Sequence, residues 1–185
     1  MRPDLDSWLD RPLVRVHHRR ETNVEPAALW AAARSIRLAD TRALGRLVRL
    51  RIPGVSSGEV FDDLLRSPPF TVLHADDGAL VSGLVGRIWT LQRDYPALAE
   101  PDEFRRWMAR GTVRVLFATW VEPVSSHVTA LVSETRVAAV DRRARLGLAV
   151  VKPLIASSHN LIGSDAIDIA IKRAQHIPEL GPGAH

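Results

Sequence analysis

The sequence predicts an α+β domain in which a curved antiparallel sheet wraps around a long C-terminal helix. Three observations carry this reading. Extended segments between residues 70 and 140 are joined by tight turns at Asp77-Gly78 and near Ser125-Ser126, so neighbouring strands run antiparallel. Two helical segments precede them, and the chain is helical again from Asp141 to about Gln175. Runs of one element type, rather than alternation of strand and helix, mark an α+β fold.

The elements follow in order. "LVRVHHRRET" (13–22) opens with Val14 and Val16 in alternation and reads as a strand. "EPAALWAAARSIR" is helical, with Pro26 in the first turn and Leu29, Ala32, Ala33 and Ile36 on one apolar stripe. Asp40 is placed to cap a second helix, "TRALGRLVRLRI", and "PGVSSG" (53–58) ends it as a loop. Phe61 to Leu65 reads as a short helical turn. "PFTVLHADDGALVSGLVGRIWTL" is a hairpin on Asp77-Gly78, and "PDEFRRWMAR" a short helix. "TVRVLFATWVEP" and "HVTALVSETRVAAV" are long strands, apolar on both sides for much of their length. In the C-terminal helix Pro153 and Gly163 predict kinks, and Gly163, Ile167, Ala170, Ile171 and Ala174 make the final apolar stripe. Asp168 and Lys172 are spaced as a surface ion pair. Domain organisation reads as an N-terminal arm (1–12), one domain (13–176) and a flexible tail (177–185).

Composition bounds the function. Hydrophobic residues make up 46% and charged residues 25% of the 185, an ordinary globular mixture. No apolar run approaches the roughly 20 residues of a membrane span, and "MRPDLDSWLDRP" is too acidic and broken for a signal peptide. The chain has no cysteine, which excludes thiolate catalysis and Cys-ligated zinc and suits a cytoplasmic location. The formal charge is +4, and nearly all the cations are arginine. No zinc-finger, RNP or KH motif accompanies this charge, so no specific nucleic-acid partner is expected.

"GLVGRIW" raises the question of why a strand carries Gly83 and Gly86 in its middle and Trp89 at its end. Glycines in a strand mark a bend or a close approach. The reading adopted is curvature, Gly83 and Gly86 letting the sheet wrap and Trp89 covering one end. Close packing against a helix is the alternative.

"NVEPAALWAAA", "GLVGRIW", "PDEFRRWMARGTVRVLFATWVEP", "LVSETRVAAVDRRAR" and "KPLIASSHNLIGSDAIDIAIKRA" together resemble a bacterial branch of the helix-grip superfamily, which includes START lipid-transfer domains, birch-pollen-allergen-like proteins and polyketide cyclase/dehydrases. The resemblance spans most of residues 13 to 176. It implies the helix-grip fold and a habit of ligand binding, and it brings no reaction with it. "LGLAVVKP" is aliphatic where that branch is commonly aromatic, which implies a different cavity wall.

Candidate ligand-binding residues are Arg87, Trp89, Arg114, Phe117, Trp120, Glu134, Arg136, Leu154 and Ser157. Glu134 and Arg136 point to one face, with Arg114 and Arg87 on neighbouring strands; on a pocket wall they would anchor a polar group, and on an outer face they would be cross-strand pairs. The aromatic residues Trp30, Trp89, Trp107, Trp120, Phe117 and Tyr95 read either as cavity lining or as core. "GVSSG" matches a nucleophile elbow in letters, but it follows a helix rather than a strand, so Ser56 is not a nucleophile. The histidines lack ligand spacing, so no metal is expected, and no cofactor is implied. Arg34, Arg37, Arg42, Arg46 and Arg49 gather basic charge on the early helices, a surface suited to anionic lipid.

Three functions fit these residues. The first is a cytoplasmic helix-grip protein holding a small hydrophobic molecule between sheet and C-terminal helix. The second is a polyketide cyclase/dehydrase-like enzyme with Glu134 as base and Arg136 or Arg87 stabilising an enolate. The third is a partner-binding or membrane-surface module using the Arg-rich helices.

Overall fold

Five strands form one curved, wholly antiparallel sheet in the computed structural model, which describes residues 2–41, 56–90, 95–157 and 164–176, with the backbone alone for 151–157 and 164–165. The elements are β1 (Val14–Thr22), α1 (Pro26–Arg34), a 3-10 turn (Leu38–Asp40), α2 (Phe61–Arg66), β2 (Thr71–Asp76), β3 (Ala79–Gly86), α3 (Pro101–Arg106), β4 (Val113–Ser125), β5 (Val128–Ala139), α4 (Arg142–Ser157) and α5 (Ser164–His176). The strand order is β1-β5-β4-β3-β2, so the first strand closes the sheet beside the last.

Successive side chains of a strand point to opposite faces, and both faces of this sheet are covered. On one lie α1 and α5, packed through Leu29, Trp30, Ile167 and Ala170 against Val115, Leu131 and Val137. This is the grip of sheet on C-terminal helix that the sequence predicts. On the other face lie the N-terminal arm and α3, with Leu5, Leu9 and Phe104 packed against Val81, Leu116, Trp120 and Val132. Both faces of the central strands are therefore apolar, which is why "TVRVLFATW" lacks a clean alternation of polar and apolar residues.

Several expectations need correction. β3 ends at Gly86, whose φ of 139° lies where side-chain-bearing residues are strained, so Trp89 stands beyond the strand. Gly83 answers to close packing, the alternative reading: a Cβ there would lie 2.5 Å from the Phe104 ring of α3. Trp89 packs against α4, where a Cβ on Gly147 would lie 2.3 Å from its ring. Asp40 sits at the end of the 3-10 turn and accepts a hydrogen bond from the Arg37 backbone N–H at 2.7 Å. Asp168 pairs with Arg20 of β1 at 3.6 Å. The predicted second helix beyond Thr41, the Gly163 kink and the tail 177–185 lie outside the described residues.

Candidate functional site

β5 carries four consecutive polar residues, Ser133, Glu134, Thr135 and Arg136, in an interior strand. Alternation sends two to each face, so each face acquires a polar centre inside an apolar surround. The two centres differ in kind.

On the arm-bearing face, Glu134 and Arg136 are buried. The register places Arg15 of β1 opposite Arg136, within reach of the same carboxylate. Arg15 donates from Nε and Nη2 to the two Glu134 oxygens at 2.8 and 2.9 Å, a bidentate pair. Arg136 donates from Nε to Glu134 Oε1 at 2.6 Å. Its Nη1 donates to Asp6 Oδ1 at 2.5 Å and to the Leu9 carbonyl at 2.7 Å, so the arm closes the network. Burial pushes the Glu134 pKa up, but the hydrogen bonds and charges of Arg15 and Arg136 together outweigh it and hold the carboxyl below its ordinary value. The hydrogen bond from Arg136, with its charge, likewise lowers Asp6.

The remaining predicted residues divide between the faces. Arg114 is on the arm side, where its guanidinium donates to the Arg105 carbonyl at 3.0 Å at the end of α3; burial lowers its pKa. Trp120 is buried on the same side and donates from Nε1 to Glu122 at 3.2 Å. Glu134, Arg136, Arg114 and Trp120 therefore face away from α5, and they line no space between sheet and C-terminal helix. Both oxygens of Glu134, the residue expected as a base, are held by guanidinium groups under the arm. Arg87 follows β3, half-buried. Trp89 and Phe117 do belong to the helix-bearing side. The side chains of Leu154 and Ser157 lie outside what is described.

The arginine surface also divides. Arg34 pairs with Asp62 at 3.3 Å, and Arg66 joins the same carboxylate at 2.8 Å. Arg37 is exposed, and Arg42, Arg46 and Arg49 lie outside the described residues.

The helix-bearing face holds a constellation that the sequence reading missed. Two neighbouring cross-strand rows run Val16, Thr135, Phe117, Ser82 and His18, Ser133, Thr119, Leu80. The three strands β1, β5 and β4 contribute half-buried side chains to both rows. The apolar residues flanking them, Val115 and Val137 on one side and Val121 and Leu131 on the other, are buried. Solvent thus reaches the middle of the face while the surrounding rows are sealed. The Thr119, Ser133 and Thr135 hydroxyls make no hydrogen bond to any side chain or backbone group among the described residues. Phe117 meets Phe70 edge to face, ring centres 5.7 Å apart, which fixes one wall. The available signal was the "SETR" run itself, since alternation places polar residues on both faces of an interior strand.

The described architecture is thus of the helix-grip class: an antiparallel sheet holding a C-terminal helix. No family model and no curated protein matches the chain. Solved structures similar to it include the hypothetical protein jhp0584 of Helicobacter pylori (11% identity, 94% of this chain and 95% of that one, TM-score 0.41). Norcoclaurine synthase of Thalictrum flavum is 11% identical over 88% of this chain and 87% of its own, with TM-score 0.37. The ZhuI aromatase/cyclase of Streptomyces sp. R1128 is 14% identical over 86% and 94%, with TM-score 0.29. Likeness at this level carries no inference about activity. No helix among the described residues is long and apolar enough to cross a membrane.

Proposed function

We propose that this chain binds a small, mainly apolar molecule bearing a hydroxyl or carbonyl group at the centre of the helix-bearing face. The observation that supports it is the juxtaposition of three uncommitted hydroxyls, Thr119, Ser133 and Thr135, with the half-buried Phe117 ring, inside a sealed apolar surround. Ligand sites have this composition: apolar walls for affinity and a few convergent polar groups for orientation. A hydroxyl can donate or accept, so the set suits a neutral polar group rather than an ion. Trp89, lying on α4 at Gly147, stands at the same side of the sheet as a wall.

Native and denaturing mass spectra of the purified chain test this directly. The expected result is an added mass in the native spectrum that disappears on denaturation and is absent from Ser133→Leu and Thr135→Leu variants. A bare native mass, together with no saturable binding of the neutral, carbonyl-bearing apolar probe Nile red to the folded wild type, would overturn the reading.

A further inference from the structure

Helix α4 turns an amphipathic stripe away from the domain. Arg142, Arg145, Leu146, Ala149 and Val150 follow the spacing of one helical face, and all are exposed; Leu146 and Val150 are 68% and 78% accessible. The opposite side holds the helix to the core through Ala144 and Leu148, both buried. Leu146 and Val150 therefore contribute little to the domain's own packing.

The charge on this stripe stands against the helix's local energetics. Arg142, Arg143 and Arg145 occupy the first turn, which contains no acidic residue, so three cations meet the positive end of the helix dipole. Among the described residues none of them has a carboxylate in ion-pair range. The nearest acid, Asp141, is committed to backbone: its oxygens accept from Ala144 N–H at 2.8 Å and from Gly111 N–H at 2.9 Å. That second bond draws the segment before β4 to the start of α4, and the segment carries exposed Arg110 and Met108, the latter 72% accessible.

We infer that this surface docks on an anionic lipid bilayer, with Leu146 and Val150 entering the interface and Arg142 and Arg145 on headgroup phosphates. Charge complementarity selects this occupant. A second copy packed on the same stripe would set guanidinium against guanidinium, and a nucleic acid would leave Leu146 and Val150 without a use. An anionic bilayer satisfies both halves of the stripe. The inference is independent of the binding site on the sheet.

The test is co-sedimentation of the full chain with vesicles of phosphatidylcholine alone and of phosphatidylcholine mixed with phosphatidylglycerol. Binding is expected to the mixed vesicles only. The double variants Leu146→Ser/Val150→Ser and Arg142→Glu/Arg145→Glu should each weaken it about tenfold or more. Both alter solvent-facing positions, and unchanged thermal unfolding will show that the fold is retained. Absence of binding to mixed vesicles at low salt would overturn the proposal, as would binding that survives in both variants. Equal affinity for a single-stranded oligonucleotide, lost in the arginine variant and kept in the Leu146/Val150 variant, would overturn it in favour of nucleic acid.

Discussion

Arg136 donates its Nε hydrogen to Glu134 at 2.6 Å with both side chains buried, two residues apart on the same face of one strand. Neither is there for solvent or for the space beside the C-terminal helix. The pair is completed from outside the strand, by Arg15 on β1 and by Asp6 and the Leu9 carbonyl of the arm. The network therefore reports whether the arm is docked.

Removing one partner from this network leaves the other buried without compensation. Glu134→Gln should cost about 3 kcal/mol or more, read as a lower denaturant midpoint at unchanged slope. The double variant Glu134→Leu/Arg136→Met should recover much of that loss, because neither buried charge remains, and the half-exposed Arg15 and the exposed Asp6 that lose their partners can be hydrated. Equal destabilisation by single and double variants would count against the network as described.

The carboxyls of Asp6 and Glu134 are both held below their ordinary values, so their contribution has a definite sign with pH. Each group's stabilisation is fully present above its unfolded pKa, about 3.9 for Asp and 4.3 for Glu. It is lost as pH falls through the lower folded values, because the unfolded chain then binds protons more readily. Stability measured by denaturant titration should thus fall as pH drops below about 4. Glu134→Gln should show a shallower fall over the same range.

Gly83→Ala should destabilise by about 1–3 kcal/mol, since the new methyl would stand 2.5 Å from the Phe104 ring between packed sheet and α3. Phe104→Leu in the same chain should return part of the loss. Its absence would show that the alanine is tolerated by movement of the backbone instead.

Gly147→Ala sets two effects against each other. Helix propensity alone predicts a gain of about 1 kcal/mol at this position of α4. The Cβ, however, would lie 2.3 Å from the Trp89 ring, so the ring must leave the helix surface. A net loss of stability is expected, with a red-shifted tryptophan emission and a changed near-ultraviolet circular dichroism spectrum. A more stable protein with unaltered spectra would refute the Trp89–Gly147 contact.

Much of the fold was legible in local signals. Asp77-Gly78 turns the β2–β3 hairpin because a two-residue turn of this kind matches strand twist. Pro26 opens α1, and Ile167, Ala170 and Ala174 mark the face that α5 buries, both by helical spacing. The shared face of Glu134 and Arg136 was equally readable, since alternation within a strand is set by the backbone, whereas the placing of Arg114 on that face depends on the β4–β5 register. Trp89 was misplaced because a positive φ at Gly86 is a property of the folded chain, and "GLVGRIW" carries no mark distinguishing an ended strand from a continuing one.

The sequence by itself determined the α+β order, the antiparallel pairing and the alternation that divides "SETR" between two faces. Only the tertiary structure decided which face is which. Covering a sheet face depends on contacts between residues far apart in the chain: Asp6 with Arg136, and Phe104 with the space left by Gly83. The arm took the charged face because its carboxylate and a backbone carbonyl satisfy Arg136, and the hydroxyl face remained with the helices. Periodicity records the two faces of a strand equally, and only packing tells them apart.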